Sequence, residues 1–107
     1  MSTTLSALAD DTRRGVVEAL GQGPLNAGEL AARLGVTPAA LTRHLRMLRQ
    51  SGVVSVSLDP SDSRRHVYSL HPEPVMDLAA WAEKVTEFWT RQLHSYTNYI
   101  EEENAGR

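Results

Sequence analysis

The chain has 107 residues, 41% apolar and 22% charged, which fits one folded domain, or one domain with a long appended helix, and excludes a disordered polar chain. It has no cysteine, so disulfides, thiolate metal sites, cysteine nucleophiles and thiol redox switches are excluded together. The net charge is −2, yet residues 33–66 carry six arginines against Asp59 and Asp62, a net +4, leaving −6 on the rest. A basic middle between acidic ends offers one face to phosphates and another to something else, although an ordinary solvated surface would show the same counts. No apolar run approaches the ~20 residues that span a bilayer, and no signal segment opens the chain, so a cytoplasmic protein without a membrane partner is expected.

Residues 3–9 read as a short opening helix, with Leu5 and Leu8 three apart. Asp10 and Asp11 suit the start of a second helix, because carboxylates favour its positive end. Val16, Val17 and Leu20 then share a face, and Gly21, Gly23 and Pro24 end the run. Asn26 followed by Glu29 has the spacing of a capping box, Leu30 and Leu34 face inward together, and Gly35 suits a left-handed C-cap. Thr37-Pro38 restarts a helix with a threonine cap and a proline where no N–H is needed. Leu41, Leu45 and Leu48 form a buried stripe on it. At 100° per residue, Ala39, Arg43, Arg46 and Gln50 point the other way, with Thr42 and Met47 beside them.

Val53–Leu58 is β-branched and alternating, Asp59–Ser63 is turn chemistry, and Arg64–Leu70 alternates again, which makes a two-stranded hairpin with arginines at its tip. His71-Pro72-Glu73-Pro74 breaks regular structure. From Val75 to about Glu103 there is no Gly or Pro, and Leu78, Trp81, Val85, Phe88, Trp89, Leu93, Tyr96, Tyr99 and Ile100 recur at helical spacing. The expected architecture is mostly α with a small β-hairpin, a winged helix-turn-helix over residues 1–107, comprising the helix pair at 27–50, the wing at 53–70 and a long helix at 75–103.

A DNA major groove admits one α-helix, read by the exposed N-terminal part of that helix. The residues expected there are Thr37, Ala39, Ala40, Thr42, Arg43, His44 and Arg46. Small side chains let the helix seat deeply, arginines take guanine or phosphate, and threonines take phosphate or a thymine methyl. A plain helical hairpin would not require an arginine face opposite the leucine stripe. Arg64, Arg65 and His66 on the following hairpin suit flanking backbone or minor-groove contacts. The long aromatic face is too wide for so small a domain to hide. It therefore reads as a two-fold self-association surface made of Leu5, Leu8, Leu78, Trp81, Val85, Phe88, Trp89, Leu93, Tyr96 and Ile100. The same aromatics could instead line a small-molecule pocket.

These segments together resemble the ArsR family of winged helix-turn-helix transcriptional regulators. The resemblance rests on Asp11-Thr12-Arg13-Arg14 with Leu20, on residues 30–36, on residues 40–48, on Ser51-Gly52-Val53-Val54 and on residues 64–70 ending in Tyr68-Ser69-Leu70. It covers about residues 5–100 and implies a homodimeric repressor of double-stranded DNA, joined through its first and last helices and usually released by an inducer. The family's usual wing-tip glycine is Ser63 here, which leaves the turn type open. Metal-sensing relatives place ligands at two sites, and both are broken. Ala27-Gly28-Glu29-Leu30 lacks cysteine, and Asp77 and His94 lack the partners that the last-helix site needs. No metal site and no cofactor are therefore expected, and the chain resembles the branch without metal-binding motifs. A small-molecule inducer is left unidentified. Nothing in the chain has the spacing of a phosphate loop, a zinc enzyme or a nucleophile elbow, so no catalytic residue is expected. Two competing functions stand beside the repressor. One is a protein-interaction module working through the aromatic helix; the other is a metal- or small-molecule-responsive repressor.

Overall fold

A computed structural model describes residues 1–105; Gly106 and Arg107, the end of the expected 1–107 span, lie outside them. The elements in chain order are α1 (Ser2–Ala7), α2 (Asp11–Leu20), β1 (Leu25–Asn26), α3 (Ala27–Leu34), α4 (Pro38–Gln50), β2 (Val54–Asp59), β3 (Asp62–Leu70) and α5 (Glu73–Ala105). The chain falls into two compact units, one of residues 1–77 and one that begins at Leu78 within α5. The fold of the first unit is a winged helix-turn-helix.

Its helices are set by their caps. The Asp10 carboxylate accepts the Arg13 N–H at 3.0 Å and starts α2, so the cap is the first of the two aspartates and Asp11 is the acid of the first turn. Asn26 and Glu29 exchange bonds of 2.8 and 3.2 Å in a full capping box at α3. Gly35 ends α3 at φ 65°, a left-handed conformation that costs any side chain a Cβ clash and glycine nothing. Thr37 Oγ1 accepts the Ala40 N–H at 3.2 Å, and Pro38 opens α4. The turn between α3 and α4 is therefore specified from both sides, by a glycine that stops one helix and a threonine that starts the next.

The core lies where these helices meet the sheet. Val16, Leu30, Leu41, Leu48 and Val53 are fully buried, with Leu20, Ala31, Leu45 and Val54 around them. Burying a leucine or valine contributes about 1.5–3 kcal/mol, so the Leu41, Leu45 and Leu48 stripe alone is a large part of what holds α4 in place. Helices α2 and α3 approach closely at Gly15, where an added Cβ would stand 2.8 Å from Cδ2 of Leu34. That methyl is the free end of a half-buried side chain and can turn aside. Alanine also regains about 0.5–1 kcal/mol of helix propensity. Gly15→Ala is thus expected to unfold within about 1 kcal/mol of the wild type, and Gly15→Leu to lose about 1–3 kcal/mol by overpacking; urea denaturation of the pair checks both.

The sheet contains the expected hairpin, β2 with β3, and adds a third strand. It has three antiparallel strands in the order β1-β3-β2, with Leu25 opposite Tyr68 and Val54 opposite Leu70. Two residues are too few to show alternation, so β1 has no signal in the chain until β3 supplies its partner. The turn also shrinks. In place of Asp59–Ser63, strands β2 and β3 reach Asp59 and Asp62, with Pro60 and Ser61 between them. The register then jumps from Asp59↔Asp62 to Leu58↔His66. Ser63, Arg64 and Arg65 are therefore unmatched on β3, and the arginines sit on a bulge, not on a flat ribbon.

Two aspartates hold this tip. Asp59 accepts the Ser61 N–H at 2.9 Å and the Ser61 hydroxyl at 2.7 Å, and Asp62 accepts the Arg64 N–H at 3.0 Å. No residue other than glycine has a positive φ among the described residues. Ser63 therefore stands in for a glycine without strain, because side-chain acceptors do what a left-handed residue would otherwise do. The Ser61 hydroxyl bond, with its N–H bond next, holds the Asp59 carboxyl below its ordinary value.

The last helix begins at Glu73, two residues before the expected Val75. Pro72 supplies the first acceptor, bonding the Met76 N–H at 2.8 Å, and Pro74 falls in the first turn, where its missing N–H leaves nothing unpaired. The sequence Pro-Glu-Pro reads as a breaker only if the helix is assumed to start after it. No helix among the described residues is long and apolar enough to cross a membrane.

Candidate nucleic-acid interface

Helix α4 presents two faces. Leu41, Leu45 and Leu48 are buried, while Ala39, Ala40, Thr42, Arg43, Arg46 and Gln50 are exposed. The leucines are held by the core, so the exposed side has a fixed direction and needs no ligand to order it. Among the described residues no carboxylate stands within 4.0 Å of Arg43, Arg46 or Arg64. Their charge is uncompensated within the first unit, which suits them to a polyanion. Arg65 is different: its Nε lies 3.9 Å from Asp62, a loose, exposed pair that water and salt weaken.

The threonines divide their roles by hydrogen bonding. Thr37 Oγ1 has its lone pair engaged by the Ala40 N–H, so its hydroxyl hydrogen is free to donate outward. Thr42 donates its hydroxyl to the Pro38 carbonyl at 2.9 Å and offers its methyl and an acceptor. The sequence treats these two residues alike; the local bonds make one a donor and leave the other a methyl and an acceptor.

His44 is placed differently from its neighbours. Its side chain is 22% exposed and turned toward the start of α2, with Nδ1 at 3.3 Å from the Arg13 guanidinium and 3.7 Å from Asp10. With Met47 it is half-buried and lines one groove with the exposed Ala39, Ala40 and Arg43. On the wing, Arg64, Arg65 and His66 are exposed and border a groove that the start of α3 lines with Asn26, Ala27 and Gly28. The structure thus brings Arg64, Arg65 and His66 to one edge, beside the helix that precedes the reading helix. Sequence reasoning missed this role of Asn26–Gly28, because only the β1–β3 pairing carries the wing to them.

The Asp10 carboxyl is held below its ordinary value chiefly by the Arg13 N–H, with the Arg13 guanidinium adding attraction. A group depressed in the folded state contributes stability that is present above its unfolded pKa and lost as pH falls through the folded one. The wild type should therefore be more stable than Asp10→Ala at neutral pH. The gap should close as pH drops below the ordinary aspartate range, which thermal melts at a series of pH values would record.

In the second unit, α5 carries an exposed apolar stripe. Trp81, Phe88, Trp89, Leu93, Tyr96, Tyr99 and Ile100 are exposed and Leu78 and Val85 half-buried. Phe88 and Trp89 meet edge to face with centroids 6.0 Å apart. In α1 it is Thr4 and Ala7 that are buried, which leaves Leu5 exposed and Leu8 half-covered. Among the described residues no three His, Asp or Glu side chains gather in a metal-binding cluster.

A capped helix with a leucine stripe inside and unpaired arginines outside, followed by a β-hairpin tipped with arginine, defines a winged helix-turn-helix of the nucleic-acid-reading class. A family model described as a helix-turn-helix domain matches residues 8–57. The HTH-type transcriptional regulator Rv2034 of Mycobacterium tuberculosis is 42% identical over 97 residues, 91% of this chain and 85% of its own. The transcriptional repressor SdpR of Bacillus subtilis is 28% identical, over 76% of this chain and 87% of its own. A solved ArsR-like transcriptional regulator from Rhodococcus sp. RHA1 superposes with a TM-score of 0.76 at 26% identity, covering 94% of this chain and 89% of that one. The chain belongs to the ArsR family of winged helix-turn-helix transcriptional regulators. It is a regulator and not an enzyme.

Proposed function

We propose that this chain is a homodimeric repressor that binds a palindromic operator in the cytoplasm. The observation that carries the reading is the exposed Arg43 and Arg46 face of α4, without an ion pair among the described residues and fixed in direction by the buried leucines behind it. Thr37, Ala39, Ala40 and Thr42 enter the major groove with these arginines. Arg64, Arg65 and His66 take the flanking backbone or minor groove. The apolar stripe of α5, with Leu5 and Leu8 of α1, joins two protomers. Their reading helices then meet successive major grooves about 34 Å apart on one side of the duplex. Repression follows when the operator overlaps a promoter and the bound dimer blocks polymerase.

Selection of duplexes from a random pool tests this reading. A two-fold symmetric sequence should be enriched. Affinity for it should fall steeply with salt, with a log–log slope of about −0.9 for each neutralised phosphate. Failure to enrich any duplex at low salt would overturn the reading and favour the protein-interaction module.

A further inference from the structure

Arg13 belongs to the Asp11-Thr12-Arg13-Arg14 segment, and nothing in the DNA-reading face uses it. In the structure its guanidinium joins two other helices to α2. Nε donates to the Ala7 carbonyl at 2.6 Å, and one terminal nitrogen donates to the Ser6 carbonyl at 3.2 Å. Both carbonyls lie in the last turn of α1, where helix acceptors lack intrahelical donors; that of Ser6 also accepts the Ala9 N–H at 3.3 Å. The other terminal nitrogen reaches Nδ1 of His44 at 3.3 Å and donates to Sδ of Met47 at 3.2 Å, both on α4. His44 and Met47 each follow an exposed arginine, Arg43 and Arg46, and lie one turn apart. The backbone of Arg13 is pinned as well, through its N–H to Asp10.

The chemistry of the fork matters here. A guanidinium is planar and carries its donors in fixed directions, so engaging both helices at once sets the separation between them. A lysine ammonium has its donors on one nitrogen and cannot reach the end of α1 and two side chains of α4 together. A guanidinium also only donates. In a hydrogen bond with it, Nδ1 of His44 can only accept, with the ring hydrogen on Nε2. Around the ring, Asp10 and Arg13 come from α2 and Arg43 from α4, while α1 presents carbonyls. The Asp10 carboxylate, 3.7 Å from the same Nδ1, favours a hydrogen there, so the Arg13 contact and the Asp10 contact pull the ring toward different tautomers.

We propose that Arg13 is a positioning residue for DNA reading: its fork ties the reading helix to the end of α1 and sets the angle at which Arg43 and Arg46 meet the groove. The consequence for DNA rests on the function proposed above; the strut itself does not. Since α1 is also assigned to the dimer surface, the strut is a short path from that surface to the reading helix.

The test compares Arg13→Gln, Arg13→Lys and, as a control, Arg14→Gln, whose side chain bonds Leu8 and Asp11. Each is measured on the selected duplex and on a scrambled one. Both Arg13 variants should lose about tenfold in the ratio of the two affinities, with scrambled-duplex binding changed by no more than about twofold. The Arg14 variant should keep the wild-type ratio. An unchanged ratio in Arg13→Gln would overturn the proposal, since the side chain would then be dispensable; so would full rescue by Arg13→Lys, since charge alone would then suffice. If the variants do not fold, nitrogen chemical shifts of His44 in the wild-type protein at neutral pH still decide. The Nε2–H tautomer is expected, and an Nδ1–H tautomer or an imidazolium would remove the strut. That measurement needs no DNA, so failure to select a duplex overturns the DNA reading separately.

Discussion

Arg43→Ala is expected to weaken binding to the selected operator by about 1–3 kcal/mol and to relax the preference for one base pair. Arg43 is exposed, has no carboxylate within 4.0 Å among the described residues, and lies opposite Leu41 and Leu45 on the same helix. Its removal therefore leaves the core intact, and stability should stay within about 0.5 kcal/mol of the wild type. Affinity loss without stability loss separates a reading residue from a packing one. The shape of the loss says more. A bidentate guanidinium on guanine discriminates between bases, so the loss should concentrate on the selected sequence. A phosphate contact would instead weaken all duplexes alike and lower the salt slope by about one phosphate. Quantitative shifts on the selected duplex and on single-base variants of it distinguish the two. Equal loss on every duplex would remove Arg43 from the base-reading set.

The second large effect is expected at Trp89. It is 59% exposed on α5, stands edge to face against Phe88, and shares its stripe with Leu93 and Tyr96. A monomeric protein rarely leaves so many large apolar side chains in contact with water. If two copies cover one another's stripes, truncating a central tryptophan should cost about 2 kcal/mol or more of association, shifting the dimer constant by a factor of about 30. Sedimentation equilibrium of Trp89→Ala should show monomer at concentrations where the wild type is a dimer. Operator affinity should fall with it, since two linked reading helices bind more tightly than one. An unchanged mass would move the dimer surface elsewhere. Trp89 is far along α5 in sequence from the core residues of the first unit, so a folding defect in that unit would be a separate finding.

Much of this was legible in the chain because it is local. Asn26 with Glu29, Gly35, and Thr37 with Pro38 act within one turn of a helix. Their spacing alone specified the caps, the stop and the restart. The leucines of α4 and the arginines opposite them obey helical periodicity, which is also local, so the two faces could be separated without coordinates. The stripe of α5 was visible for the same reason. Its beginning was not, because proline is a breaker inside a helix and a good starter in its first turn, and the difference lies in where the first hydrogen bond falls.

What tertiary structure decided is non-local. Strand β1 has two residues and exists because β3 passes beside it. The bulge that carries Arg64 and Arg65 follows from a register between two strands, and the aspartates at the tip make a glycine unnecessary there. His44 shows the limit most plainly. A helical projection sets it beside Arg43 and says nothing of what else touches its ring. Only the packing of α2 against α4 puts Arg13 and Asp10 beside its ring. By itself the sequence determined which helices form and which of their faces are apolar, since neighbours along the chain settle both. The position of those faces relative to one another was decided by the fold, since it depends on contacts such as Arg13 to His44, thirty-one residues apart.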